Sequence, residues 1–107
     1  MAVRIFRGKA DDAVQLIADA LEQYLRDHAD AEIDVYRQDR FSIRVRVIDP
    51  SFAKLQKSER HARVWSYLDN VPEEAQSDVS MLVVITPDEA ARSIANIEFE
   101  DPVPSTL

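Results

Sequence analysis

Two histidines and no cysteine limit the metal and nucleophile chemistry open to this chain. His61 stands in the run Arg60-His61-Ala62-Arg63. An imidazole near a helix start, flanked by cations, offers a nitrogen ligand to a metal brought by a partner. Arg60 and Arg63 would then flank an anionic ligand or a docking partner. The same spacing also suits a histidine at the margin of the core, packed on Val64 and Trp65. His28 reads as a solvated residue near a helix C-terminus, where cations are favoured. Asp49 with His61 would make an acid–base pair, but nothing supplies a nucleophile or a third group to orient the base. There is no phosphate loop, no Gly-x-Ser-x-Gly and no His-Glu-x-x-His, so no enzyme is expected.

The strongest signal is a charge reversal. Residues 40–63 hold seven cations (Arg40, Arg44, Arg46, Lys54, Lys57, Arg60, Arg63) against two acids, Asp49 and Glu59. The segment is therefore +5 within a chain of net −7, which leaves −12 for the rest. A basic centre in an acidic coat points to a binding module. Arg44 and Arg46 lie on the outer face of a strand. There they are solvated, or paired across a hairpin with Glu32 or Asp34. Alternatively they join Lys54, Lys57, Arg60 and Arg63 in a basic groove for nucleic acid. Tyr36 and Tyr67 are the only rings expected to be exposed for base stacking. A third reading is a homo-oligomer or adaptor, with the basic face docked on an acidic face of another copy.

The whole chain bounds these readings. At 107 residues, 46% apolar and 31% charged, it suits one globular domain with a modest core. Net negative charge argues against broad binding to nucleic acid or anionic membranes. Without cysteine it has no disulfide and no thiolate metal site of its own. No apolar run approaches a signal peptide or the roughly 20 residues of a membrane span, so a cytoplasmic location is expected.

The elements that must position these residues follow from periodicity. Val3 to Phe6 is a short strand or a loose arm. Val14, Ile17, Ala18, Leu21 and Leu25 draw one stripe down a helix capped by Asp11 and ending near His28. Ile33 and Val35 alternate with Glu32, Asp34 and Tyr36 in a half-buried strand. The short link Arg37-Gln38-Asp39 leads to a second strand, in which Phe41, Ile43, Val45 and Val47 face one way. Asp49-Pro50 ends it, and Phe52 anchors a turn. Ser58 caps a second helix running to about Asn70. On it His61, Val64, Trp65 and Leu68 share one face, and Arg60, Arg63 and Tyr67 another. Glu73 to Asp78 is a polar connection. The apolar run Asp78 to Thr86 reads as a central strand covered on both faces. Thr86-Pro87-Asp88-Glu89 is a capping box that opens a short last helix carrying Ala90, Ala91, Ile94 and Ile97. The result is an α+β domain of order α-β-β-α-β plus a short C-terminal helix, with helices packed on a three-stranded sheet. Residues 1–107 form this single domain, its core at about 11–96 and its acidic tail, 97–107, mobile.

With that order in place, the chain resembles the BolA-like family over roughly residues 11–88. The resemblance rests on Val45-Arg46-Val47-Ile48-Asp49-Pro50-Ser51-Phe52, followed by Arg60-His61-Ala62-Arg63-Val64-Trp65. The family has a hydrophobic strand, a Ser-x-x-Phe-x-Gly turn, and Arg-His-Arg followed by an aliphatic and an aromatic residue. The resemblance implies a fold similar to class II KH domains, monothiol glutaredoxin partners, and a shared [2Fe-2S] cluster with His61 as a ligand. It also implies links to stress responses and transcriptional control. Ala53-Lys54 stands where the family has its glycine, and Ala62 replaces the second arginine of its motif. The hairpin link has no His or Cys, so this chain brings one cluster ligand and the partner brings the rest; it holds no cofactor on its own. With Gly8 as the only glycine, the Gly-x-x-Gly clamp of true KH domains is excluded.

Overall fold

A computed structural model describes residues 3–5, 11–92, 96 and 99. The chain runs β1 (Arg4–Ile5), α1 (Asp12–Asp27), β2 (Glu32–Asp39), β3 (Ser42–Ile48), a 3-10 turn (Pro50–Lys54), α2 (Lys57–Leu68), α3 (Glu73–Asp78), β4 (Val79–Ile85) and α4 (Pro87–Ala90). The fold is α+β, and the sheet has four strands rather than three, in the order β1-β2-β3-β4. The segment that reads as a strand or an arm is a two-residue strand parallel to β2. β2 and β3 form the expected antiparallel hairpin. β4 runs parallel to β3 and lies at the sheet's edge, not its centre. Both of its faces are covered nonetheless, which explains the continuous apolar run.

α1 forms where its apolar stripe demands. Val14, Ile17, Ala18, Leu21 and Leu25 are all buried, and Tyr24 joins them. Asp11 caps it by accepting from Val14 N–H at 2.9 Å. Arg37 grips the same carboxylate with two N–H groups, at 2.8 and 3.1 Å, and reaches Asp78 at 3.0 Å. The hydrogen bond from Arg37 holds the Asp11 carboxyl below its usual pKa. One arginine thus ties the start of α1, the hairpin and the end of α3 together. Arg37 and Asp39 belong to β2, and the hairpin turns at Arg40–Phe41 instead. Phe41 is consequently 61% exposed and does not join Ile43, Val45 and Val47 in the core.

The main core lies between the sheet and helices α1 and α2. It gathers Ile33, Val35, Ile43, Val45 and Val47 with Phe52, Val64 and Leu68. The opposite sheet face is covered too. Tyr36, Val83 and Ile85 pack with Phe99, whose ring meets Tyr36 edge-on at 5.0 Å. Asp34 and Arg46, an opposed pair in the β2–β3 register, are buried as an ion pair on this face. Phe99 therefore lies in a core, within the stretch read as a mobile tail; residues 100–107 fall outside the described residues.

α2 is capped by Gln56 and Glu59 in a reciprocal capping box, two residues earlier than a Ser58 cap would place it. Glu73 to Asp78 is helical rather than a plain connection. The Thr86–Glu89 capping box with Pro87 at the first helical position is as expected. Of the last helix's expected residues, Ile94 and Ile97 lie outside the described residues. No described helix is long and apolar enough to cross a membrane.

Phe52 has no exposed surface, with Arg60 and Arg63 guanidinium groups each 5.7 Å from its ring centroid. Phe52→Ala should cost about 3–5 kcal/mol of stability. Urea unfolding measures this directly, and an unchanged midpoint would remove Phe52 from the core.

Candidate ligand and partner-binding site

The 3-10 turn and the first two turns of α2 gather most of the expected site residues at one end of the sheet. β3 delivers the chain there, Asp49 and Pro50 end the strand, and Phe52 plugs the turn into the core. α2 then starts at Lys57, and His61 lies in its second turn, exposed to solvent. Partial desolvation against the helix, aided by the charge of Lys57, holds the His61 imidazole below the ordinary histidine pKa. The shift favours the neutral imidazole, the form in which a ring nitrogen keeps its lone pair. Of the open readings of His61, exposure sets aside the core-margin one.

Its neighbours divide sharply. Arg60 is only 6% exposed and is not part of a docking surface. Its Nε donates to the Phe52 and Leu55 carbonyls, each at 3.1 Å. Its Nη1 donates to Val84 O at 3.2 Å and to Glu89 Oε1 at 2.7 Å. One side chain thus closes the 3-10 turn, α2, β4 and α4 onto each other. Glu89 is held below its usual pKa, chiefly by the hydrogen bond from Arg60. Burial at Arg60, Val64 and Leu68 places the arginine on the core stripe, not on an outer face with Arg63.

Arg63 is half-buried on the flank facing α1, donating to Ser51 Oγ at 2.7 Å. Arg46 is 4% exposed, bound to Asp34 at 3.1 Å through Nε and to Asn96 at 2.8 Å, with Phe99 at 4.8 Å beneath its guanidinium. Arg44 is half-buried on the same face, its Nη1 3.4 Å from Tyr36 Oη. Neither lies on a solvated outer face, because Phe99 and Asn96 cover it; cross-strand pairing with Asp34 is the reading that holds for Arg46. Tyr36 is buried as well and offers no stacking platform. Lys54 and Lys57 are exposed.

A second constellation is absent from the sequence reading. Asp49, 2% exposed, accepts from Tyr24 Oη at 2.7 Å and from Ser51 N–H at 2.8 Å. His28 Nδ1 and Arg63 Nη1 each stand 4.0 Å from its Oδ2. His28 is no solvated helix end: its ring stacks on Tyr24 at 4.4 Å, and Tyr67 meets Tyr24 edge-on at 5.1 Å. Burial raises the Asp49 pKa, but the hydrogen bonds from Tyr24 and Ser51 outweigh it, and the net shift is downward. Burial and the Asp49 hydrogen bond push the Tyr24 hydroxyl well above its usual pKa. An open cavity of about 250 Å³, lined by Asp27, His28, Asp30, Asp49 and Ser51 among others, lies beside it. The histidine beside Asp49 is therefore His28, not His61. The carboxylate joins α1, the 3-10 turn and α2, and its hydrogen bonds mark a structural centre. The available signal was Tyr24, a hydroxyl one helical turn before His28 and in line with Leu21 and Leu25.

Among the described residues no group of three or more His, Asp or Glu side chains could hold a metal ion. Comparison with protein-family models, with curated proteins and with solved structures finds no match.

Proposed function

We propose that this chain is a non-enzymatic binding protein of BolA-like type, in which His61 supplies one ligand to a metal group carried by a partner. One observation carries the reading: an exposed imidazole, its neutral form favoured, on a helix anchored from below by Phe52 and Arg60. Phe52 and Arg60 anchor the helix start, so less ordering entropy is left to lose when the ring is engaged. The resemblance names the partner class as monothiol glutaredoxins and the group as a [2Fe-2S] cluster. The hairpin turn lies at the other end of β3, about 20 Å away at the rise of a strand, and contributes no second ligand. The nucleic-acid reading has less support, because Arg46 and Arg60 are buried and Arg44 is half-covered.

The test is a visible absorption and circular dichroism titration of cluster-loaded monothiol glutaredoxin. Wild type should give a spectral change that saturates, and His61→Ala should abolish it while melting within about 0.5 kcal/mol of wild type. Because the imidazole pKa is lowered, proton competition should set in at a lower pH than for a free histidine. An identical spectral change with His61→Ala would end the ligand assignment.

A further inference from the structure

Arg44 stands apart from the other cations on the sheet face turned away from α1 and α2. In the β2–β3 register Asp34 faces Arg46, and Tyr36 faces Arg44. Asp34 also takes Arg4, from the strand beyond β2. Among the described residues no carboxylate pairs with Arg44. Its Nε is closed off from solvent and has no acceptor, and Nη1 donates to the Tyr36 hydroxyl at 3.4 Å. A guanidinium stays charged throughout the range in which proteins fold, so a shielded N–H without an acceptor is a cost the fold carries. Glu32 lies at the far end of β2, about 13 Å from Tyr36 at the rise of a strand. Asp39 accepts from Phe41 N–H in the hairpin turn at 2.9 Å.

The chain itself brings acids to this spot. Phe99 rests edge-on against the Tyr36 ring, and its carbonyl accepts from the Tyr36 hydroxyl at 3.4 Å. The same hydroxyl accepts from Arg44. Two contacts of that length are all that separate the Phe99 carbonyl from the Arg44 guanidinium. The next residues in the sequence are Glu100 and Asp101, followed by Pro102-Val103-Pro104-Ser105-Thr106-Leu107. Glu100 therefore starts within side-chain reach of Arg44, and Asp101 is one Cα–Cα step, about 3.8 Å, further on.

We propose that residues 100–107 occupy this part of the face, with the carboxylates of Glu100 and Asp101 as the counter-charge of Arg44. Charge, tether and length all favour this occupant over an outside anion. The segment holds two acids and no base. It is tethered at Phe99, so its acids meet Arg44 at the high effective concentration of a short link, whereas an outside anion must approach a chain of net −7. Extended, the segment reaches about 26 Å, far more than the short run of β3 from Arg44 back to the hairpin turn. Pro102 and Pro104 lower the entropy lost in laying it down. With the pair closed, Arg44 is withheld from any phosphate backbone, and the chain's own tail blocks the anion site. This surface lies on the opposite side of the sheet from α2, so the proposal stands or falls independently of the His61 ligand reading.

The test is a double-mutant cycle on the full chain, read by urea unfolding at low salt, with exchange of the Arg44 Nε–H followed by NMR. Glu100→Gln with Asp101→Asn should lower the folding equilibrium constant about fivefold when Arg44 is present, and leave it unchanged in an Arg44→Gln background. The difference should shrink in about 1 M sodium chloride, where charges are screened within a few ångströms. Exchange of the Nε–H with water should be faster in the tail variant than in wild type. Arg44→Gln keeps a stem and a polar head over Tyr36, and circular dichroism checks that each variant is folded. A tail variant that loses as much stability without Arg44 as with it overturns the proposal. So does an Nε–H that exchanges at the same rate in wild type and tail variant. Protection of that N–H only on adding inorganic phosphate also overturns it, and makes an outside anion the occupant.

Discussion

Arg60→Ala is expected to destabilise the protein by about 3–5 kcal/mol, a large share of the total for a domain of this size. The residue stands on a flank already rich in cations, and a surface arginine there would cost well under 1 kcal/mol to remove. Its burial changes the arithmetic. Truncation strands the carbonyls of Leu55 and Val84, takes one of two donors from Phe52 O, which keeps Leu55 N–H, and removes the partner of Glu89. Each stranded buried acceptor costs about 1–3 kcal/mol unless water reaches it. Arg60→Lys should recover little, because one ammonium cannot serve acceptors that the planar guanidinium reaches through three different nitrogens. Arg63→Ala, at the half-buried position three residues on, should cost about 1 kcal/mol. Urea midpoints of the three variants decide the matter. Equal small losses for Arg60→Ala and Arg63→Ala would show that the Arg60 clamp is not closed.

Asp49→Ala should cost about as much, for a different reason. It leaves the buried Tyr24 hydroxyl without its acceptor, uncaps the 3-10 turn, and takes the counter-charge from Arg63. It also predicts a pH dependence. The Asp49 carboxyl has a lowered pKa in the folded protein. Its contribution is therefore complete above the unfolded value of about 3.9 and is lost as pH falls through the lower folded value. Asp11 and Glu89 are shifted the same way and act with the same sign. Wild type should lose stability steeply below about pH 4. Asp49→Asn should be less stable at neutral pH, with a shallower acid limb. Parallel acid limbs for the two proteins would remove Asp49 as a contributor.

These two residues mark where sequence reading succeeded and where it stopped. The stripe of α1, the hairpin, the Phe52 anchor and the Thr86 capping box were legible because each is a local pattern, a spacing or a cap written within a few residues. Arg60 was not. It occupies the core position of the 60/64/68 stripe, and an arginine there reads as solvated because lone buried cations are rare. The carbonyls of Phe52, Leu55 and Val84 and the carboxylate of Glu89, all from other parts of the chain, make the position tolerable. Asp34 and Arg46 misled in the same way: two charged residues facing each other across β2 and β3 describe a wet face as well as a buried pair. What distinguishes them is Phe99, far along the chain. Asp49 needed Tyr24 from the opposite side of the core. β1 was too short for any period to register. His61 stayed open between a ring at the core margin and an accessible ligand, because its helical spacing suits both, and only the fold shows it exposed.

The seating of Phe99 also sets an order of events during synthesis. Tyr36 Oη reaches the Phe99 carbonyl, a contact spanning 63 residues. At ribosomal rates of roughly 5–20 residues per second, Tyr36 is made several seconds before its partner exists. The α1 side of the sheet can close as the chain lengthens, since its helices follow their strands closely. The other side waits for Asn96 and Phe99, with Tyr36, Val83 and Ile85 uncovered by them until then. The nascent domain is thus one-sided for a time, and its smaller apolar cluster is the last to be covered. A premature stop anywhere before Phe99 would make that transient condition permanent.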